Sequence, residues 1–75
     1  MKNEDMIRMA NQIASYFIAY GDAEGVKGTA EHIKMYWEPR MRAQLFKYLD
    51  ETGGTGLSPM ALEAARELKK AHQPA

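Results

Sequence analysis

Few side chains in this sequence are equipped for chemistry, and they are scattered. The only histidines are His32 and His72, and there is no cysteine. A metal centre needs His, Cys or carboxylate groups converging at a fixed spacing, such as HExxH on one helix face, and neither histidine sits in such a frame. His32 reads instead as a polar helix position or a hydrogen-bonding contact. Nucleophilic catalysis needs a hydroxyl poised beside a base. Ser58 stands just before Pro59, where a helix cap is wanted, and Ser15 lies beside an apolar stripe. The run Gly53-Gly54-Thr55-Gly56 looks like a phosphate cradle but lacks the GK[ST] continuation that supplies a lysine and a metal-binding hydroxyl. A flexible turn is the simpler reading. Among the methionines, Met6, Met9 and Met41 fit gaps in a core, whereas Met35 and Met60 suit adaptable contact surfaces.

One stretch resists such plain readings: Tyr36-Trp37-Glu38-Pro39-Arg40-Met41-Arg42. Pro39 suits the first position of a helix, which puts Arg40 and Arg42 in its first turn. There the helix dipole is positive, and a cation costs about a few tenths of a kcal/mol. A local rule broken without local gain marks a candidate functional site. The bland alternative is a solvated basic turn offset by Glu38 and nearby acids. The sharper one is that both arginines pair with carboxylates on another surface, flanked by Tyr36 and Trp37. Trp, Tyr and Arg concentrate at interface hot spots because they bury large areas and make directional bonds. The residues therefore favour an interaction module over an enzyme.

Charge and size point the same way. The chain has 75 residues with ten basic and ten acidic groups, but residues 1–31 carry a net −2 and residues 32–49 a net +3. The unusual stretch is thus the basic patch of an otherwise mildly acidic protein, too small for a nucleic-acid footprint. A domain of this length buries only roughly 60% of its unfolded surface. Without disulfides it depends on tight helix packing or on a partner. No apolar run approaches the roughly 20 residues needed to cross a membrane, and the acidic N-terminus lacks the apolar region of a signal peptide. The missing cysteines fit a cytoplasmic protein.

Periodicity predicts an all-α chain, one domain with four short helices at about 3–20, 22–37, 39–50 and 58–71, and a frayed tail at 72–75. Helix one carries Met6, Met9, Ala10, Ile13, Phe17 and Tyr20 on one stripe, widened by Ile7, Ala14 and Ile18, with Asn3 as its cap. A helix apolar over so much of its surface must be covered on two sides. Asp22 is placed to cap the second helix, which aligns Val26, Ala30, Ile33 and Trp37. Gly25 and Gly28 weaken its start, each by up to about 1 kcal/mol, and imply close packing against a neighbour. Met41, Leu45, Tyr48 and Leu49 face inward from helix three. In helix four, Leu57 reads as a staple and Ser58 as an N-cap, with Ala61, Ala64, Ala65 and Leu68 inward. The abrupt joint at Glu38-Pro39 argues against a DNA-reading helix-turn-helix, which needs a turn of three or four residues.

The runs IRMANQIASYF (7–17), HIKMYWEPRMRAQL (32–45) and GGTGLSP (53–59) closely resemble the delta subunit of the cytoplasmic, NAD-dependent, molybdenum-containing formate dehydrogenases. The resemblance implies a small accessory subunit with no cofactor of its own. The molybdenum cofactor, a bis-molybdopterin guanine dinucleotide, would sit with iron–sulfur clusters, flavin (FMN) and NAD in larger partner subunits. The most natural partner is then the subunit carrying the molybdenum cofactor. Carried onto this chain, the motif marks Asn11, Gln12, His32, Tyr36, Trp37, Glu38, Pro39, Arg40, Met41 and Arg42 as expected partner-binding residues. The family more often has Phe-Trp-Asp-Pro where this chain has Tyr36-Trp37-Glu38-Pro39, and Glu is a poorer cap than Asp. The competing expectation is a free-standing homo-oligomeric or regulatory helical module, its broad first helix buried in self-association.

Overall fold

Glycine and proline set the helix boundaries. The structure, a computed structural model, describes residues 1–72. It contains α1 (Asn3–Phe17), α2 (Asp22–Tyr36), α3 (Pro39–Thr52) and α4 (Pro59–His72), with a 3-10 turn at Ile18–Tyr20 between the first two. The described residues hold no strand. Gly21 takes a positive φ of 91° that an L-residue rarely adopts, and its carbonyl accepts the first α2 hydrogen bond from the Gly25 N–H. Gly53 ends α3 in the left-handed conformation, its N–H donating to the Leu49 carbonyl at 2.8 Å. His72 belongs to α4, against the expected fraying, and its ring lies 5.3 Å from that of Phe46. The rest of the expected tail, 73–75, is outside the described residues.

Two expected caps are replaced. Lys2 rather than Asn3 is the cap of α1, and the Asn3 side-chain Oδ1 instead accepts a hydrogen bond from the Gln44 side chain at 2.9 Å. Gly21 rather than Asp22 is the cap of α2, leaving Asp22 as its first helical residue. Ser58 does cap α4, its hydroxyl accepting from the Ala61 N–H at 3.3 Å.

The core joins Met6, Ala10 and Ala14 of α1 to Ile33, Trp37, Leu45, Phe46 and Leu49, with Met60, Ala61, Ala65 and Leu68 closing it from α4. The buried edge of α2 is Gly25-Thr29-Ile33, one step away from the expected Val26-Ala30 line, which is half-buried. Small residues on this edge let α4 and α1 approach. A Cβ on Gly25 would lie 2.5 Å from Met60 Cε and 2.9 Å from the Phe17 carbonyl oxygen, and one on Gly28 would strike the Phe17 ring at 2.5 Å. Met60 is accordingly a core residue and not the contact-surface methionine expected of it; Met35 is the exposed one. Thr29 tolerates full burial because its hydroxyl donates to the Gly25 carbonyl at 2.7 Å.

A candidate docking surface

Arg42 resolves the oddity of the basic turn. α2 ends when the Trp37 N–H donates to the Ile33 carbonyl, and Trp37 and Glu38 then run extended with ψ of 140° and 151°. That is the conformation proline imposes on the residue before it. Pro39 starts α3 immediately, so the N-terminus of α3 lies against the C-terminus of α2. Arg42 Nη1 donates to the Trp37 carbonyl at 2.6 Å and to the Lys34 carbonyl at 3.0 Å. The guanidinium sits near the positive end of its own helix, but it satisfies the negative end of the preceding one. The local rule is broken with a local gain.

The other expected partner-binding residues divide by what the fold asks of them. Trp37 is only 6% exposed, so it supports the joint from within and shows only an edge at the surface. Met41 is half-buried against the core. Asn11 clamps the turn between α3 and α4: its amide donates to the Gly56 carbonyl at 3.0 Å and its carbonyl oxygen accepts from the Ser58 N–H at 2.8 Å. This turn is not a phosphate cradle. The Gly54 and Thr55 amides both donate to the Thr52 hydroxyl, and the Tyr48 hydroxyl closes on the Thr55 carbonyl.

Gln12, His32 and Tyr36 remain at the surface and share one groove between α1 and α2, floored by Met9, Ile13 and the edge of Trp37. Glu38, Pro39 and Arg40 are exposed beside the joint, and so are Lys34 and Lys47 on the flanking helices. The groove continues an aromatic ladder. The Tyr36 ring lies 4.7 Å from His32, His32 lies 6.2 Å from Phe17, and Phe17 meets Tyr16 edge-on at 4.9 Å and Tyr20 at 5.9 Å. Those separations fall in the range that aromatic pairs prefer. Tyr16, Tyr20 and Tyr36 are 65%, 59% and 69% exposed. The Tyr16 phenol, by hydrogen bonding first and charge second, holds the Tyr20 phenol above its ordinary pKa.

Tyr16, Ile18 and Tyr20 are surface features that the sequence pattern does not show or turns inward, whereas Met35 is exposed as expected. Tyr20 was expected on the buried stripe, and Ile18 on a second covered face. The 3-10 turn winds at three residues per turn, which rotates Ile18–Tyr20 off the α1 stripe and leaves them exposed. The signal was available in Gly21: a helix forced to stop there tightens its last turn. What the face can do is bind. It offers rigid rings with polar tips beside a cationic turn, the combination that gives large contact area at low entropic cost.

Among the described residues no three His, Asp or Glu side chains gather as a metal site, and no helix is long and apolar enough to cross a membrane. The family model of the NADH-dependent formate dehydrogenase delta subunit FdsD matches residues 5–65. No curated protein and no solved structure matches the chain.

Proposed function

The chain belongs to the family of NADH-dependent formate dehydrogenase delta subunits, and from that premise we propose that it is a noncatalytic accessory subunit that docks on a larger subunit of the enzyme. The docking face is the groove of Gln12, His32 and Tyr36 with the adjoining basic turn at Arg40. The observation that carries this is the aromatic ladder, which runs through the family-matched segment and ends beside the basic turn at Arg40. The distinctive polar residues Asn11, Arg42 and Ser58 hold backbone groups, which favours a structural partner over a reacting centre.

On this reading the molybdenum cofactor, iron–sulfur clusters, FMN and NAD belong to the larger subunits, in the cytoplasm, and the subunit carrying the molybdenum cofactor is the partner. The delta chain supports assembly by mass action. A protein that binds only the native, cofactor-loaded form stabilises it by about 2.7 kcal/mol when present at a hundred times its Kd.

The test is affinity capture of the tagged chain from its host grown on formate, with the eluate assayed for molybdenum and formate-dependent NAD reduction. Tyr36→Ala with Arg40→Glu, both at exposed positions, should leave the helical fold intact and lose the enzyme. Undiminished capture by this variant would reject the face. A second reading, self-association, is favoured by one observation: Tyr16 and Tyr20, with rings 6.3 Å apart, and Ile18 are all largely exposed on a small chain. Sedimentation of the isolated chain over a concentration series distinguishes it.

A further inference from the structure

A second cleft lies at the junction of α1, α2 and α4, and its chemistry is opposite to that of the basic turn. Its walls are apolar, made by Ala14, Ile18, Val26 and Met60, and its volume is ≈ 360 Å³. That is room for one or two side chains rather than for a large cofactor. Asp22 and Glu63 stand among its lining residues, and no lysine, arginine or histidine does.

Most of the other polar groups here are already engaged. Asn11 is bonded at both ends of its amide, the Ser15 hydroxyl donates to the Gln12 carbonyl at 3.0 Å, and Ser58 caps α4. The two carboxylates are different. The ion pairs among the described residues are Arg8–Asp5 and Lys69–Asp50, so neither Asp22 nor Glu63 has a cationic partner there. Asp22 has a local reason to be acidic, as the first residue of α2 at the positive end of its dipole. Glu63 has none, and it makes no pair even with Arg66 one turn on.

An apolar trough holding two unpaired carboxylates is complementary to a side chain with an aliphatic stem and a cationic head. We infer that this cleft receives an arginine- or lysine-bearing, apolar-flanked segment of the larger subunit, as a second contact separate from the basic face. The inference rests on the reading that the chain docks on that subunit. A chain of zero net charge then presents a cationic face and an anionic cleft to one partner. Two linked contacts hold far better than either alone, because the second forms within the complex. Charges of opposite sign also fix the orientation of docking.

The experiment uses the full chain and the formate dehydrogenase complex captured from the host. Asp22→Asn with Glu63→Gln removes both charges at nearly constant shape, and Asp22→Lys with Glu63→Lys inverts them; circular dichroism of each isolated chain confirms folding. The neutral pair should bind the complex roughly tenfold more weakly at physiological salt, and the inverted pair should lose it. Added salt should weaken the unaltered chain and leave the neutral pair less affected. Capture by the inverted pair equal to that of the unaltered chain overturns the inference. If that happens while Tyr36→Ala with Arg40→Glu still loses the enzyme, the docking reading stands and only the cleft falls. Should the unaltered chain fail to capture the enzyme, both fall. A change in the sedimentation of the isolated inverted pair would make a second copy the occupant and would also overturn the inference.

Discussion

Replacing Arg42 with alanine should destabilise the fold, although the residue stands on a basic turn that reads from sequence as a docking site. The side chain makes two hydrogen bonds to backbone carbonyls, a short one to Trp37 in a half-buried setting and a longer, exposed one to Lys34. Hydrogen bonds from a charged group contribute about 1.5–3 kcal/mol when sheltered. Solvent reduces the exposed bond to a fraction of that, and the lost cation at the α2 C-terminus adds about 0.3–1 kcal/mol. The expected loss is about 2–3 kcal/mol. Domains of this size have roughly 4–11 kcal/mol in all, at about 0.05–0.15 kcal/mol per residue. The melting temperature should therefore fall by about 8–24 °C, at about 4–8 °C per kcal/mol. Urea unfolding followed by circular dichroism gives the free energy directly. Arg42→Lys should recover part of the loss by restoring charge without the guanidinium geometry, and Arg40→Ala should stay within about 0.5 kcal/mol as an exposed control. A loss under about 0.5 kcal/mol for Arg42→Ala, with capture of the enzyme abolished, would refute the argument. It would return Arg42 to the docking surface.

Three further outcomes follow from the same geometry. Gly25→Ala gains about 1 kcal/mol of helix propensity but drives a methyl into Met60 and the Phe17 carbonyl, and since the carbonyl is backbone a net loss of about 1–3 kcal/mol is expected in urea unfolding. A stabilised variant would show that the α1–α2 approach is looser than described. Asn11→Ala should cost about 1–3 kcal/mol and release the Ser58 amide to hydrogen exchange, whereas Asn11→Asp, which keeps the acceptor, should preserve that protection. Tyr16→Phe should lower the raised pKa of Tyr20 toward its ordinary 10.0, read from phenolate absorbance. Because a raised pKa means the folded chain holds that proton more tightly, the stabilisation is present below the unfolded value and is lost as pH rises through the folded one. An unchanged Tyr20 titration would sever the coupling between the two phenols.

The helices were legible because their punctuation is strong. Gly21, Pro39, Gly53 and Pro59 each carry a backbone constraint that any fold must honour, and α4 shows Ala61, Ala64, Ala65 and Leu68 inward as its spacing requires. The close approach of helices at Gly25 and Gly28 was legible for the same reason. The site was less so. Periodicity follows one helix at a time, whereas Arg42 acts across a break in the chain, on carbonyls five and eight residues back. Nothing in a helical stripe reveals that one helix starts against the end of another. Asn11 is a similar case, since it serves a turn more than forty positions away. Trp37 reads two ways, since its spacing sets it on the α2 stripe with Ile33 and its type is common at interfaces; it lies in the core, where so many alanines leave room for one large side chain.

The division of labour among these residues bears on how so small a chain can recognise a partner. Docking costs the ordering of every side chain it immobilises, about 0.5–1.5 kcal/mol for each flexible one. The rings of the ladder are restrained before any partner arrives, Tyr36 on His32, His32 on Phe17, and Phe17 between Gly28 and Tyr16. Gly28 is part of that device, because a side chain there would push Phe17 out of line. Arg42 belongs to it as well, since it holds together the two helix ends from which Tyr36 and Arg40 project. The distinctive motif is therefore mostly a frame. Buried Trp37 and half-buried Met41 and Arg42 fix the geometry of a joint, while half-buried His32 and exposed Tyr36 and Arg40 are held by that joint at the surface. Substitutions in the frame should weaken binding through stability, whereas substitutions at the exposed tips should weaken binding with stability unchanged. That separation is the clearest mark by which docking and scaffolding roles within one short motif can be told apart.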